Sequence, residues 1–303
     1  MSAGLLDGRV AVVTGSGRGL GRAYAQALAA AGAAVVVNDV DAGAAAETVG
    51  LITAAGGRAI AVVAPVGPSA TADLLVQAAQ ETYGRLDVMV TNAGVLRDRV
   101  LWKTDDDDFD LVVETHLRGT FSCAKAAAAV MREQGEGGRI IVIGSPAGQF
   151  GSFGQTAYSA VKAGIVAFAR TWSLELARAG ITVNAVIPTA LTAMTATMPI
   201  YQEVYARFLD GDPLPAQVRQ AHALGGPEDV APLVVWLASE RSAEVTGQAI
   251  GIGGDKLTLY SHPAELMAEY ADGGWTAETI EDAWLSRFGA HAQPSGASFP
   301  PLD

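Results

Sequence analysis

A single cysteine in 303 residues, Cys123, excludes an internal disulfide and fits a reducing compartment. Its place in the alanine-rich run FSCAKAAAAV reads as a buried helix residue rather than a nucleophile. Basic side chains are in the minority: 20 Lys and Arg stand against 32 Asp and Glu, a formal charge of −12. Nucleic acid and anionic membrane surfaces select basic patches, so neither is expected as a main partner. No uncharged apolar run approaches the length that crosses a bilayer, and MSAGLLDGRVAVVTG reaches a strand by residue 9 without an apolar leader. FPPLD carries no lipidation or peroxisomal signal. The expectation is a soluble, cytoplasmic protein. His222, His262 and His291 lack the i, i+4 or Cys-linked spacing of zinc sites, so no metal is expected. Internal repeats are absent.

What is present is alternation. Val- and Ile-rich runs at 9–15, 34–39, 58–64, 86–94, 138–145, 181–188 and 247–254 read as seven strands. Helical segments fall between them at 20–33, 43–55, 69–83, 105–133, 156–179 and 227–239. Continuous apolar strands separated by amphipathic helices predict a mostly parallel sheet covered on both faces, a doubly wound, Rossmann-type α/β domain over 1–254. Two segments break the rhythm. One is an insertion at 190–226. The other is an extension, 255–303, with a helix expected over 263–271 and a mobile final dozen, AQPSGASFPPLD.

VVTGSGRGLGRA joins the first strand to the first helix, with Gly15, Gly19 and Gly21 spaced G-x-x-x-G-x-G. A phosphate-binding turn needs backbone that approaches the anion closely and a helix amino end facing it. A tight strand–helix turn is the alternative; its place after the first strand of an alternating chain favours the phosphate. Asp39 ends the second strand, where a carboxylate can bond both ribose hydroxyls of NAD and repel a 2′-phosphate. An ordinary turn or N-cap aspartate is the other reading. Arg18 points the opposite way, since a guanidinium in that loop can pair with the phosphate of NADP. NAD is the expected cofactor.

Tyr158 and Lys162 are i and i+4 on one predicted helix, and Ser145 lies thirteen residues before the tyrosine, at the end of the fifth strand. A free tyrosine, pKa about 10, is a poor base at neutral pH. A neighbouring ammonium or a cationic nicotinamide favours phenolate, and a serine hydroxyl can donate to a substrate oxygen. Without the glycine loop, Tyr and Lys at this spacing would read as surface decoration.

TGSGRGLG, NAG (92–94), Ser145, YSAVK (158–162) and GGPEDVAPLVVWLASERSAEVTGQAIGIGG (225–254) together resemble the short-chain dehydrogenase/reductases, in register over roughly 5–254. The resemblance implies Tyr158 as catalytic acid/base, Lys162 as its pKa-lowering partner on the nicotinamide ribose, and Ser145 as the group positioning the carbonyl or hydroxyl. It assigns to the cofactor the loop residues Gly15, Arg18, Gly19, Leu20 and Gly21, then Asp39, Val66, Asn92, Ala93, Gly94, Pro188 and Thr192. It also implies a homotetramer or homodimer built partly from the helices at 105–133 and 156–179.

Two positions depart from the pattern. His116, in THLRGTF, stands where the family often has an asparagine linked to a proton relay, and it joins the candidate catalytic residues. Pro65, in APVG, replaces an adenine-binding carboxylate and leaves only the Val66 amide. GRAYAQALAAAGAAVVVND, NAGVLRDR, THLRGTF and GSFGQTAYSAVKAG are similar to the dehydrogenase unit of peroxisomal multifunctional enzyme type 2 and its bacterial relatives. That likeness implies a (3R)-hydroxyacyl-CoA or 17β-hydroxysteroid substrate. An NADPH-dependent 3-oxoacyl reductase and a non-catalytic nucleotide-binding scaffold are the rival readings.

Three further features have bland alternatives. TDDDDFD (104–110) reads as a Thr104-capped helix start rather than a metal site, because consecutive helical residues diverge. Arg97, Arg99 and Lys103 either meet an acidic CoA moiety or form a solvated loop. Met194, Met198, Tyr201, Tyr205 and Phe208 either wall an apolar pocket or form the buried face of short lid helices.

Overall fold

A computed structural model of the chain describes residues 4–296. The strands are β1 (Val10–Val13), β2 (Ala34–Asp39), β3 (Arg58–Val63), β4 (Val88–Thr91), β5 (Gly138–Ile143), β6 (Ile181–Pro188), β7 (Ala249–Gly253) and β8 (Lys256–Tyr260). They form one sheet in the order β3-β2-β1-β4-β5-β6-β7-β8, parallel except for the β7–β8 pair. The helices are α1 (Gly19–Ala30), α2 (Ala42–Ala54), α3 (Ser69–Tyr83), α4 (Asp106–Val112), α5 (Gly119–Gln134), α6 (Pro146–Phe150), α7 (Thr156–Glu175), α8 (Gln202–Leu209), α9 (Ala216–Gln220), α10 (Ala231–Ala238) and α11 (Ala277–Ser286).

Alternate strand residues feed two cores. Val10 and Val12 of β1 join the core shared with α3, α5 and α7, while Ala11 and Val13 join the one shared with α1, α2 and α10. Burial on both faces is why these strands are continuous Val/Ile runs. Cys123 is buried in the first of these cores, its thiol pushed up to about 12 by burial.

The doubly wound α/β fold is as expected, with one strand more. β8 closes a two-residue hairpin, since Gly253 pairs with Lys256. Gly254, at φ +48, makes that turn, and Tyr260 packs on the core while Leu257 and Leu259 face outward. The extension expected after residue 254 therefore begins inside the sheet.

The helix expected over 263–271 is absent. Leu266 and Tyr270 are exposed there, and a helix that short without a face to bury is not stable alone. The helical part of the extension is α11. Of the final dozen expected to be mobile, residues 297–303 lie outside the described residues. Among the described residues no helix is long and apolar enough to cross a membrane.

Between α4 and α5 the helix continues through one wide π-type turn, Val113–Arg118. Its start is capped by Asp105, which accepts the Asp108 N–H at 2.8 Å, rather than by Thr104. The Thr104 hydroxyl instead donates to the Val100 carbonyl at 3.2 Å. Asp106, Asp107 and Asp108 then occupy the first turn, where the helix dipole favours them.

At the amino edge of the sheet, buried Asp87 accepts the Val10 N–H at 2.8 Å and pairs with Arg9 and Arg85 at 3.0 and 2.6 Å. Asp87→Ala strands that buried N–H and separates β4 from its neighbours' charges. It is expected to lower unfolding stability by about 2 kcal/mol, read by urea denaturation, with dinucleotide affinity at the opposite edge unchanged.

Candidate active site

Parallel pairing brings the carboxyl ends of β1, β2, β4, β5 and β6 to one edge, and β1 sits where the strand order reverses. A cavity of about 1250 Å³ opens there. Its volume exceeds the roughly 300–1,000 Å³ of a single small-ligand pocket. All sixteen residues anticipated from the sequence line it, from Gly15 to Thr192.

The glycine loop is built without room for side chains. A Cβ on Gly21 would lie 2.1 Å from the Gly15 oxygen, so α1 starts against the loop backbone. Gly15, at φ +60, passes Ala93 so closely that a Cβ would sit 2.7 Å from its Cα. Asn92 ties the loop to β4: its side-chain amide donates to the Thr14 and Gly15 carbonyls, both at 3.0 Å. Asp39 ties it to β2, accepting the Gly17 N–H at 2.9 Å on one oxygen and the Asp41 N–H at 3.1 Å on the other. Each carboxylate oxygen has capacity for a further bond, and Asp39 lines the cavity. Arg18 is exposed and pairs with Asp41 at 3.5 Å. Leu20 and Val66 line the walls, and the Thr192 methyl lies 4.0 Å from a Cβ built on Gly19. The Thr192 N–H donates to Thr195 Oγ1 at 2.6 Å, which curls the chain after Pro188. These glycines and free helix N–H groups fit a dinucleotide phosphate.

Ser145 follows β5 directly, and its Oγ accepts the Ala147 N–H at 3.2 Å. Tyr158 lines the same cavity, and the Ser145 hydroxyl acts in favour of its phenolate. One turn along α7, buried Lys162 donates to the Ile143 carbonyl at 2.7 Å, with Nζ 5.5 Å from the phenol ring centre. The three side chains meet, but their charge state differs from expectation. Burial drives the Tyr158 pKa upward; Ser145 opposes that, and the Asp98 charge adds to it. Lys162 is not among the groups that shift it here. Burial holds the ammonium itself down at about 7, and its hydrogen bond goes to a carbonyl rather than to the phenol.

His116, in the π turn, is buried with its ring edge-on to Tyr158, centroids 5.3 Å apart. Nε2 lies 2.8 Å from the Val95 oxygen and 3.0 Å from its nitrogen, while Nδ1 has no partner among the described residues. Burial, helped by the Lys162 charge, lowers its pKa to about 3, so the ring is neutral at physiological pH. Its Cε1 would touch a Cβ on Gly94 at 2.3 Å. NAG therefore needs its glycine because of the histidine.

The family model for short chain dehydrogenases matches residues 9–202. The chain belongs to the short chain dehydrogenase family. Hydroxyacyl-CoA dehydrogenase ChsB1 of Mycobacterium tuberculosis is 41% identical over 280 residues, covering 88% of this chain and 84% of that protein. Peroxisomal multifunctional enzyme type 2 of Drosophila melanogaster is 36% identical over 317 residues, covering 98% of this chain and 49% of that protein, so the chain spans about half its length. The likeness to that enzyme read from the sequence motifs is borne out. A crystal structure of a short chain dehydrogenase from Mycobacterium avium is 37% identical, with a TM-score of 0.82 over 98% of this chain and 99% of that one.

This short chain dehydrogenase has a substrate side that the sequence marked only in part. Met194, Met198, Tyr201, Tyr205 and Phe208 all line the cavity. The three aromatics also pack on buried Leu191, Val218 and Leu224, so both readings of the insertion hold. Leu96, Leu111 and Phe153 extend the apolar lining. Gln155 and Asp98 were not anticipated: buried Gln155 lines the wall three residues before Tyr158 and donates to Asp98 at 3.3 Å. Its place just before α7 is the one signal that could have found it. Arg97 and Arg99 both grip Asp108, at 3.0 and 2.9 Å, and lie outside the cavity lining.

Gly94→Ala is expected to destabilise the fold by about 1–3 kcal/mol through overpacking. Adding His116→Ala should recover most of that loss, a coupling read from the double-mutant cycle in urea. Lys162 is protonated in the unfolded chain up to its ordinary pKa, but only up to about 7 when folded. Stability therefore rises with pH from about 7 toward 10, and Lys162→Met should remove that slope.

Proposed function

We propose that this short chain dehydrogenase is an NAD-dependent oxidoreductase for secondary alcohols and ketones, with a 3-hydroxyacyl-CoA or hydroxysteroid as substrate. The observation that carries the reading is the meeting of Ser145, Tyr158 and Lys162 inside the cavity that also contains the glycine loop. When bound, the nicotinamide supplies the hydride acceptor or donor.

The chain's own residues do the rest. Ser145 orients the substrate oxygen toward the phenol, and Tyr158 holds or releases the proton at Oη. Lys162, fixed to the end of β5, stands ready for a ribose hydroxyl and for charge on the phenolate. His116 is too far below neutral pH to shuttle a proton as an acid. It acts as a positioning residue, locking the Val95 backbone to the ring of Tyr158. Gly15, Gly19, Leu20 and Gly21 hold the pyrophosphate, Asp39 the adenine ribose and Val66 the adenine. Asn92, Ala93 and Gly94 support the central turn, and Pro188 and Thr192 face the carboxamide.

Asp39, a carboxylate in the cavity wall at the end of β2, supports NAD. Arg18 lines the same end and favours NADP, but Asp41 already draws it aside. The apolar walls from the insertion and the name of the tuberculosis relative, a hydroxyacyl-CoA dehydrogenase, support the acyl substrate. Lone Cys123 supports a reducing, cytoplasmic compartment, and membership of the short chain dehydrogenase family supports a homo-oligomer assembled partly through α5 and α7.

Tyr158→Phe is expected to lower turnover at least ~100-fold with NAD binding retained; equal activity in mutant and wild type would overturn the assignment. A strong preference for NADPH in side-by-side turnover would overturn the cofactor. Because the phenol pKa is raised, the phenolate fraction grows with pH. Alcohol oxidation should climb across pH 7–10 while ketone reduction does not, and His116→Gln should leave the shape of that profile intact.

A further inference from the structure

The extension beyond β7 returns to the candidate active site. Tyr260, at the end of β8, meets the Phe150 ring at the end of α6, centroids 6.0 Å apart. His262 Nε2 lies 3.0 Å from the Gly247 carbonyl, and Arg287 pairs with Glu269 further on. Most of the run is exposed, Gly296 included, and the Gly296 N–H donates to the Phe150 carbonyl at 2.7 Å. Phe150 is thus held twice by the extension, once by its ring and once by its backbone. Through the second contact Gly296 joins Gly151, Ser152 and Phe153 in the cavity wall. That loop leads directly into α7 and Tyr158.

We propose that residues 261–296 form a strap whose far end, at Gly296, walls the substrate mouth and limits the size of the group beside the reacting carbon. This rests on the hydroxyacyl or hydroxysteroid reading of the cavity. Gly296 sits at φ +90, open to glycine and strained for other residues, so the contact is specified by sequence. The 151–154 loop it holds has glycines at φ +77 and +78 and belongs to no helix or strand; its other backbone ties are the Gly151 N–H on the Ala147 carbonyl at 2.9 Å and the Gln155 N–H on the Ser152 carbonyl at 3.2 Å. Gly296 offers no side chain. The strap takes up room rather than adding apolar contact, which makes it a size filter in a cavity whose wall also includes Met194 and Met198.

The full chain is compared with Gly296→Pro, which lacks the N–H and cannot adopt that φ, and with a deletion of 292–303. Three quantities are read: NAD affinity, hydrogen exchange across 150–154, and kcat/KM for a short straight-chain 3-hydroxyacyl-CoA against a hydroxysteroid. In both variants loop exchange should rise at least ~10-fold. The steroid-to-short ratio should rise at least ~5-fold, with NAD affinity held. Unchanged exchange, or a ratio that stays put while exchange rises, overturns the strap. If the full chain binds NAD but turns over neither substrate, the functional reading fails instead. The same ratio, read from calorimetric binding of the two ligands, then decides the strap.

Discussion

Parallel pairing is the constraint on which the rest depends. A parallel sheet has one polarity, so every strand delivers its following loop to the same edge. Ser145, Asn92, Asp39 and the glycine loop share a cavity although up to 130 residues separate them along the chain. The ladder bonds from β2 to β6 fix their spacing, and the cross-ties from Asn92 and Asp39 hold the loop between strands that do not move independently. The charged knot around Asp87 secures the opposite edge, where no lining residue sits.

Burial sets the electrical character of the site. Phenol, ammonium and imidazole are all pushed toward their neutral forms, because each loses water and gains few charged partners. Ser145 is the one neighbour that favours phenolate. The site therefore awaits charge from its ligand instead of carrying it in advance, and the pocket alone leaves the tyrosine a proton holder.

Most of the architecture was legible because it rests on patterns that burial forces: seven of eight strands, the flanking helices and the whole cofactor edge. β8 escaped because KLTLY is short and alternates over a half-exposed edge, although Gly-Asp between apolar runs is a hairpin signal. The helix expected over 263–271 failed for the opposite reason: favourable residues with nothing to pack on. At the site, motif spacing brought out Ser145, Tyr158 and Lys162 but could not give the direction of the Tyr158 and Lys162 pKa shifts, which depend on depth. The grip of Arg97 and Arg99 on Asp108 and the return of Gly296 are products of folding that no local pattern encodes.

The wide turn at Val113–Arg118 constrains how this helix can vary. A π turn holds one residue more than regular winding needs. Removing a single residue there would close the wide turn into an ordinary helix and re-aim the side chains that the turn carries. His116, inside it, would lose its place against Gly94. Length in this stretch is therefore as restricted as identity, and single-residue deletions should be tolerated less well here than in the loops on either side.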